Sequence, residues 1–496
     1  MSATMPAPYA HIHQPSDRKV RGAYYTPPEV VHTLVRWAAR RASEKMIDPA
    51  CGDGRFLAAH PNSVGIEDDP GALSLARGSA PRSLVHEGDF FAWASQTRER
   101  FDCAAGNPPF IRYQRFTGDV RTTARDLCRR HGAEFSALCS SWAPFLVATA
   151  ALLRPGGRMA FVVPAEIGHA PYARPVMEYM AANFDFVQIV AFREKLFPRL
   201  SEDCWLLYAE GFGGQTDCFA FTPLERFSSL DAPPVFAVRA PLAEWRSWNC
   251  RLRPFLLPPE ARALYRHAAE QDNVIRLGDA AKVSIGYVTG ANDFFHLRPS
   301  DAQQRDIPED LLIPAVRNGR TLEGRAITRS TVESWRKRDE PNFLLRLAAD
   351  HELPDSVRRY LDSPQGRQAR STYKCRNRDP WYVVPDVTVP EAFLSYMSGR
   401  QPSLVANQAG CVATNSVHVV RPRSGWSVSD LQRGWALPLT QLSVELEGHP
   451  LGGGMLKLEP GEATRVLVAT EPFASRADGG VVSDAIDTMK RWRHDA

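Results

Sequence analysis

Between residues 46 and 110, short apolar runs end one after another on a polar side chain followed by a turn. Met46-Ile47 leads to Asp48 and then Pro-Ala-Cys-Gly-Asp-Gly, and Val64-Gly65-Ile66 leads to Glu67. The run beginning at Ser83 reaches Asp89, and Phe101–Gly106 delivers Asn107-Pro108-Pro109-Phe110. Runs this short, bounded by glycine, proline and acidic residues, predict buried strands. Ahead of them the period changes. Val30, Val31, Leu34, Val35 and Ala38 form a helical stripe. Thr26 is predicted to cap that helix, with Pro27 in its first turn and Glu29 completing a capping box. A second helix is predicted to start near Arg55. Ligands of open parallel sheets bind at the carboxyl edge of the strands. Polar residues delivered in order to that edge predict a site there.

Each strand end has its own chemistry. Gly52 and Gly54 permit a tight turn and a close approach of backbone to ligand, beside the free amides of a helix start. The spacing departs from GxGxxG, which disfavours a dinucleotide pyrophosphate; a plain structural turn fits the same residues. Glu67 stands nineteen positions after Asp48, where an acid in nucleotide-binding α/β sheets takes both ribose hydroxyls. The run Glu67-Asp68-Asp69 equally suits a solvated strand end or a helix cap. Asp89 offers an acceptor for an adenine amine, and the two phenylalanines after it offer cover for a ring. Beyond the fourth run the prolines cannot extend a hydrogen-bond ladder, and Phe110 needs a partner. That turn predicts a flat, polar occupant.

A chain of 496 residues is too long for one ordinary core, so two domains are expected, with three left open. The apolar stretch Trp142–Leu153 stops at Arg154-Pro155-Gly156-Gly157, short of a membrane span. The polar, proline-rich start has no signal-peptide core. Nine cysteines without a CxxC pair or matching histidine spacing point to reduced thiols, a cytoplasmic location and no metal site. Net charge is only +4, from 60 basic and 56 acidic residues. A nucleic-acid partner would therefore need locally arranged charge.

The order TPPEVV, DPACGDGRFL, VGIEDDP, GDFFAW, FDCAAGNPPF and LLRPGGRMAFVVP, covering residues 21–210, resembles the gamma class of amino-group DNA methyltransferases. These use S-adenosylmethionine (AdoMet), and the Asn-Pro-Pro-Phe form of their signature belongs to enzymes that methylate adenine at N6. The resemblance implies a class I AdoMet-dependent methyltransferase fold, α/β and Rossmann-like, with a mostly parallel seven-stranded sheet. It places the AdoMet methionine end against Thr26 and the turn Asp48, Pro49, Ala50, Cys51, with Gly52 and Gly54 in the same loop. It also puts Glu67 on the ribose, Asp89 on the adenine amine, and Pro109 and Phe145 beside the cofactor; an ordinary core aromatic explains Phe145 as well. Some relatives have Glu where this chain has Asp48.

Adenine's exocyclic amine is a poor nucleophile because its lone pair is delocalised into the ring. The Asn107 side-chain oxygen and the Pro108 carbonyl would hold its two N–H groups and stabilise the charge growing on nitrogen. Phe110 would stack on the purine. The stretch 192–211 resembles the family's motif VIII, which puts Phe197, before Pro198, against a base flipped out of double-stranded DNA; a loop aromatic covering a core edge explains Phe197 as well.

Glycines and prolines between about 211 and 245 predict a linker. The expected organisation is a catalytic domain over 1–220, a linker over 221–245, and a mixed α/β DNA-recognition domain over 246–496. Residues 366–385 bring Arg367, Arg370, Lys374, Arg376 and Arg378 together with Tyr373, Trp381 and Tyr382, a pattern suited to phosphate and base contacts. A solvated basic loop is the plainer reading. Asn407 and Asn415 offer adenine-reading amides, though asparagine is also common in turns. No nuclease motif or P-loop is evident, so a separate cognate endonuclease beside a monomeric methyltransferase is expected. Protein glutamine and RNA adenine methyltransferases remain alternatives, as does a DNA-binding subunit with a vestigial pocket. The extension of roughly 250 residues argues against the first, and the intact Asp48, Glu67, Asn107 and Phe110 against the last.

Overall fold

The short apolar runs of the first half fold as β1 (Met46–Asp48), β2 (Ser63–Glu67), β3 (Leu84–Glu87) and β4 (Phe101–Gly106). The structure, a computed structural model, describes residues 26–198, 202–229, 233–349, 352–451, 454–473 and 476–493. It divides into two compact units, Met1–Leu256 and Leu257–Ala496.

In the first unit the four strands are joined by β5 (Leu153–Pro164), β6 (Phe184–Phe192), β7 (Cys204–Phe212), β8 (Cys218–Leu224) and β9 (Val238–Pro241). Among the described residues they form one nine-stranded sheet in the order β3-β2-β1-β4-β5-β7-β6-β8-β9. Strands β3 through β5 in that order are parallel, and β7 runs antiparallel to both its neighbours. The seven-stranded sheet implied by the resemblance is present, with two strands added at its edge. Helix α1 (Pro28–Ala38) buries its whole apolar stripe and packs on β4 and β5. Helices α2 (Arg55–Ala58), α3 (Pro70–Ser79) and α4 (Phe90–Gln96) follow β1, β2 and β3. After α5 (Gly118–Arg130) comes α6 (Trp142–Ala150), buried at every position. That explains the longest apolar stretch as a core helix, and no described helix is long and apolar enough to cross a membrane.

The segment 221–245 is not a linker. Gln188 pairs with Ala220 and Phe192 with Leu224, so β8 adds in parallel to β6, and β9 returns antiparallel to β8. Phe219 and Phe221 are fully buried. The prolines and glycines that suggested a linker are the turns of a sheet extension, and the unit closes at Leu256.

The second unit is built on a five-stranded sheet, in the order Ala281–Ile285, Val417–Pro422, Ala392–Ser395, Leu404–Asn407, Ala326–Ile327. Alternate residues of one strand enter different cores. Phe393 packs with Trp335 and Phe343, whereas Ala392 and Leu394 pack with Leu431 and Leu456. The sheet is therefore covered on both faces.

Candidate active site

The strand order reverses at β1, which lies between β2 and β4. Such a reversal opens a crevice at the carboxyl ends of the strands, and here those ends carry Asp48, Glu67 and the Asn107 turn. Packing is tight enough to demand glycine. A Cβ on Gly106 would lie 2.6 Å from Asp48 Oδ1, and one on Gly65 would lie 2.7 Å from Cys51 Sγ.

Asp48 is fully buried. Its Oδ1 accepts from the Ala50 amide at 3.1 Å, while Oδ2 takes no hydrogen bond among the described residues. Burial pushes this carboxyl up to about 8. The next turn, Pro49 to Gly54, is closed by Cys51 N donating to Ile66 O at 3.0 Å and Gly54 N to Cys51 O at 2.8 Å. Gly52 takes φ 55° and Gly54 φ 81°, a region that favours glycine. Glu67 accepts from Gly52 N through Oε2 and from Asp69 N through Oε1, each at 2.8 Å. Burial raises it to about 7. Each of its oxygens retains capacity for a further bond. A buried, unsatisfied carboxylate atom beside a glycine turn suits a cationic, hydrogen-bond-donating ligand.

Asp89 stands differently from expectation. β3 ends at Glu87, and Asp89 caps α4, with Oδ1 accepting from Ala92 N at 2.8 Å. Burial raises its carboxyl. Phe145, also buried, stacks on Phe90 at 5.1 Å and meets Phe91 edge-on at 4.6 Å.

Thr26 does not cap α1. The cap is Pro27, without a side-chain bond, because Thr26 turns inward. It is buried, and its Oγ1 accepts from Asn107 Nδ2 at 3.2 Å. The Arg55 guanidinium donates to the Thr26 carbonyl and pairs with Asp53 Oδ2 at 2.6 Å. From the other side Ser141, fully buried, donates through Oγ to the Pro109 carbonyl and accepts from Ile111 N at 3.0 Å. Asp53, Arg55 and Ser141 were not foreseen. The closeness of Asp53 and Arg55 in the chain is a usable signal; for Ser141, 30 positions beyond Ile111, there is none. Pro108 is buried, and Pro109 and Phe110 are half-buried. Phe110 packs against a core cluster that includes Phe197, so the two expected stacking aromatics share one region. Tyr24 and Tyr25, which precede Thr26, lie outside the described residues.

Residues 12–75 match the family described as N-6 DNA Methylase, and residues 75–197 match the Eco57I restriction-modification methylase. Residues 251–493 match the C-terminal domain of Type II methyltransferase M.Eco57I. The chain belongs to the Eco57I-type N-6 DNA methylase family. It is an adenine-N6 DNA methyltransferase of a type II restriction–modification system. Type II methyltransferase M.AccI of Acinetobacter calcoaceticus is 20% identical over 475 residues, 91% of this chain and 86% of that one. M.XamI of Xanthomonas campestris pv. amaranthicola is 23% identical over 477 residues, 90% and 85% of the two chains. Among solved structures, the type IIL enzyme MmeI in complex with DNA has a TM-score of 0.57 at 12% identity, covering 92% of this chain and 69% of that one. That likeness concerns the fold.

In the second unit of this Eco57I-type methylase, Arg367, Arg370, Arg376, Arg378 and Trp381 line one cavity of about 570 Å³. Helices Pro364–Ser371 and Tyr373–Arg376 supply the first three. Trp381 is half-buried, 5.7 Å from the Phe294 ring. Arg378 reaches further into the fold: its guanidinium donates to the part-buried carbonyls of Thr289, at 2.7 Å, and Val288, whereas Arg367 makes an exposed bond to Asp362 O at 2.6 Å. Lys374 lies against Gly290, where an added Cβ would meet its Cβ at 2.6 Å. Asn415 is exposed. Asn407 is not available to read a base. Its Nδ2 donates to Pro390 O at 2.7 Å and Cys411 O at 2.8 Å, and its Oδ1 accepts from Cys411 N at 3.0 Å. Every polar atom of that amide is engaged in holding a turn.

Proposed function

We propose that the strand-end crevice holds AdoMet and that the Asn-Pro-Pro-Phe turn grips the N6 amine of an adenine flipped out of double-stranded DNA. The observation that carries this is the pair of carboxyl groups, Asp48 buried and Glu67 half-buried, at a glycine-lined turn on the sheet edge that also carries Asn107. Asp48 with the Pro49–Gly54 loop would hold the methionine end, Glu67 the ribose hydroxyls, and Asp89 with Phe145 and Pro109 the adenine end. When bound, AdoMet supplies a methyl group made electrophilic by its sulfonium.

The chain's own residues prepare the acceptor. Thr26, by holding Asn107 Nδ2, orients the amide so that Oδ1 accepts from the substrate amine. The Pro108 carbonyl accepts the second N–H, its direction limited by the proline ring. Together they draw nitrogen toward tetrahedral geometry and stabilise its growing positive charge. The proton then leaves to solvent. Half-buried Phe110 offers a face for the flipped purine, which offsets part of the unstacking cost, and Phe197, buried in the core cluster that Phe110 packs on, would back it. The second unit reads the target through its arginine-lined cavity, and cleavage belongs to a separate endonuclease.

Calorimetry with AdoMet tests the cofactor site. Glu67→Ala is expected to weaken binding by about 1.5–3 kcal/mol, the usual range for a charge-assisted bond. Wild-type affinity in that variant would place the ribose elsewhere.

A further inference from the structure

Residues 112–130 carry six arginines against two aspartates, a local excess equal to the whole chain's net charge of +4. The start of this stretch is firmly mounted. On one side Ile111 is tied to Ser141 through its amide at 3.0 Å and its carbonyl at 2.9 Å. On the other, Phe116 is buried and packs 6.2 Å from Phe91. Between these anchors the amides of Arg115 and Phe116 both donate to the Arg112 carbonyl, at 2.9 and 3.0 Å. The turn so closed presents Arg112, Tyr113, Gln114 and Arg115, all exposed.

Three arginines further along are engaged in the fold. Arg125 Nε donates to Phe135 O at 2.8 Å, Arg129 pairs with Asp126 at 3.0 Å, and Arg121 reaches Ala137 O at 3.4 Å. Arg112 is different: its side chain is 72% exposed and touches Glu202 only at 3.5 Å. Two guanidinium groups thus stand on a fixed loop, two and five residues beyond Phe110.

We propose that Arg112 and Arg115 hold two phosphates of the DNA strand beside the nucleotide gripped at the Asn-Pro-Pro-Phe turn, giving the catalytic unit its own hold on the backbone. This rests on the reading that the turn receives a flipped adenine. Extruding a nucleotide displaces the backbone on either side of it, so its flanking phosphates must lie near the pocket that receives the base. The guanidinium fork matches phosphate oxygens, and a loop already anchored at both ends loses little entropy on binding. Contacts of this kind position DNA without reading its sequence.

The test is duplex affinity over a range of salt, for wild type, Arg112→Ala/Arg115→Ala and Arg112→Lys/Arg115→Lys, with AdoMet calorimetry on each. Two lost phosphate contacts should reduce the slope of log affinity against log salt by about 1.8. The loss should be equal on target duplexes that differ only in the bases flanking the site. The lysine pair should keep the wild-type slope, and AdoMet affinity should be unchanged in all three. An unaltered slope in the alanine pair, or a loss that varies with the flanking bases, overturns this inference while leaving the proposed function standing. A wild type that binds neither AdoMet nor duplex overturns both.

Discussion

Ser141 Oγ touches the Asn-Pro-Pro-Phe turn on both sides of Phe110, at the Pro109 carbonyl and the Ile111 amide. Ser141→Ala takes that partner from two half-buried residues, at a cost of about 0.5–1.5 kcal/mol each. If the turn grips the acceptor as proposed, turnover should fall about tenfold or more through misplacement. AdoMet affinity should fall less than turnover, since Asp48 and Glu67 lie on other strands and only Pro109 links Ser141 to the proposed cofactor site. Single-turnover rates set against calorimetry check this; equal losses in both would assign Ser141 a general structural role. Asp48 and Glu67 make a second claim at this scale. Their carboxyls are raised to about 8 and about 7. A carboxyl raised in the folded state contributes its full stability below its unfolded pKa and loses it as pH climbs through the folded value. The ligand-free protein should therefore lose stability through these groups between about pH 4 and about pH 8. Asp48→Asn cannot ionise, so its Tm relative to wild type should rise from about pH 5 to about pH 8.5. A difference that ignores pH contradicts the assignment.

Helices Pro364–Ser371 and Tyr373–Arg376 place Arg367, Arg370 and Arg376 around one cavity, while Arg378 fastens the cavity wall to Val288 and Thr289. Neighbouring arginines should then fail differently. Arg367→Ala/Arg370→Ala is expected to weaken duplex binding and its salt dependence with Tm little changed. Arg378→Ala, which removes the guanidinium from the Val288 carbonyl and leaves Thr289 O with the weak Cys375 thiol donor, should lower stability by about 1–3 kcal/mol. Thermal melts beside salt titrations separate them, and identical behaviour would refute the division. The same contrast explains what was legible in the sequence. β1, β2 and β4 with their polar ends follow from local apolar runs and turn residues, so Asp48, Glu67 and Asn107 could be found. Thr26 was misplaced because a Thr-x-x-Glu pattern fits a capping box, whereas a tertiary bond to Asn107, 81 positions away, decides its orientation. Residues 221–245 carry turn residues that suit a linker or a strand extension equally, and the pairing with β6 decides. Asn407 was ambiguous for a like reason: only the fold shows that its amide closes a turn.

At the scale of the molecule, the chain's near-neutral charge conceals two basic surfaces, one in each compact unit. The exposed turn at 112–115 follows the Asn-Pro-Pro-Phe turn, and the arginine cavity lies in the second unit. A nearly balanced chain can bind a polyanion when its cations are grouped in this way. Everything converges on one claim: the Asn-Pro-Pro-Phe turn directs methylation to adenine N6 in DNA. The most direct measurement is modified-base mapping of DNA from a host expressing wild type or Asn107→Ala at equal protein level. Wild type should leave N6-methyladenine at one short sequence, and Asn107→Ala should leave none while keeping AdoMet affinity. N4-methylcytosine in place of N6-methyladenine, or an undiminished adenine mark in the variant, would contradict the account.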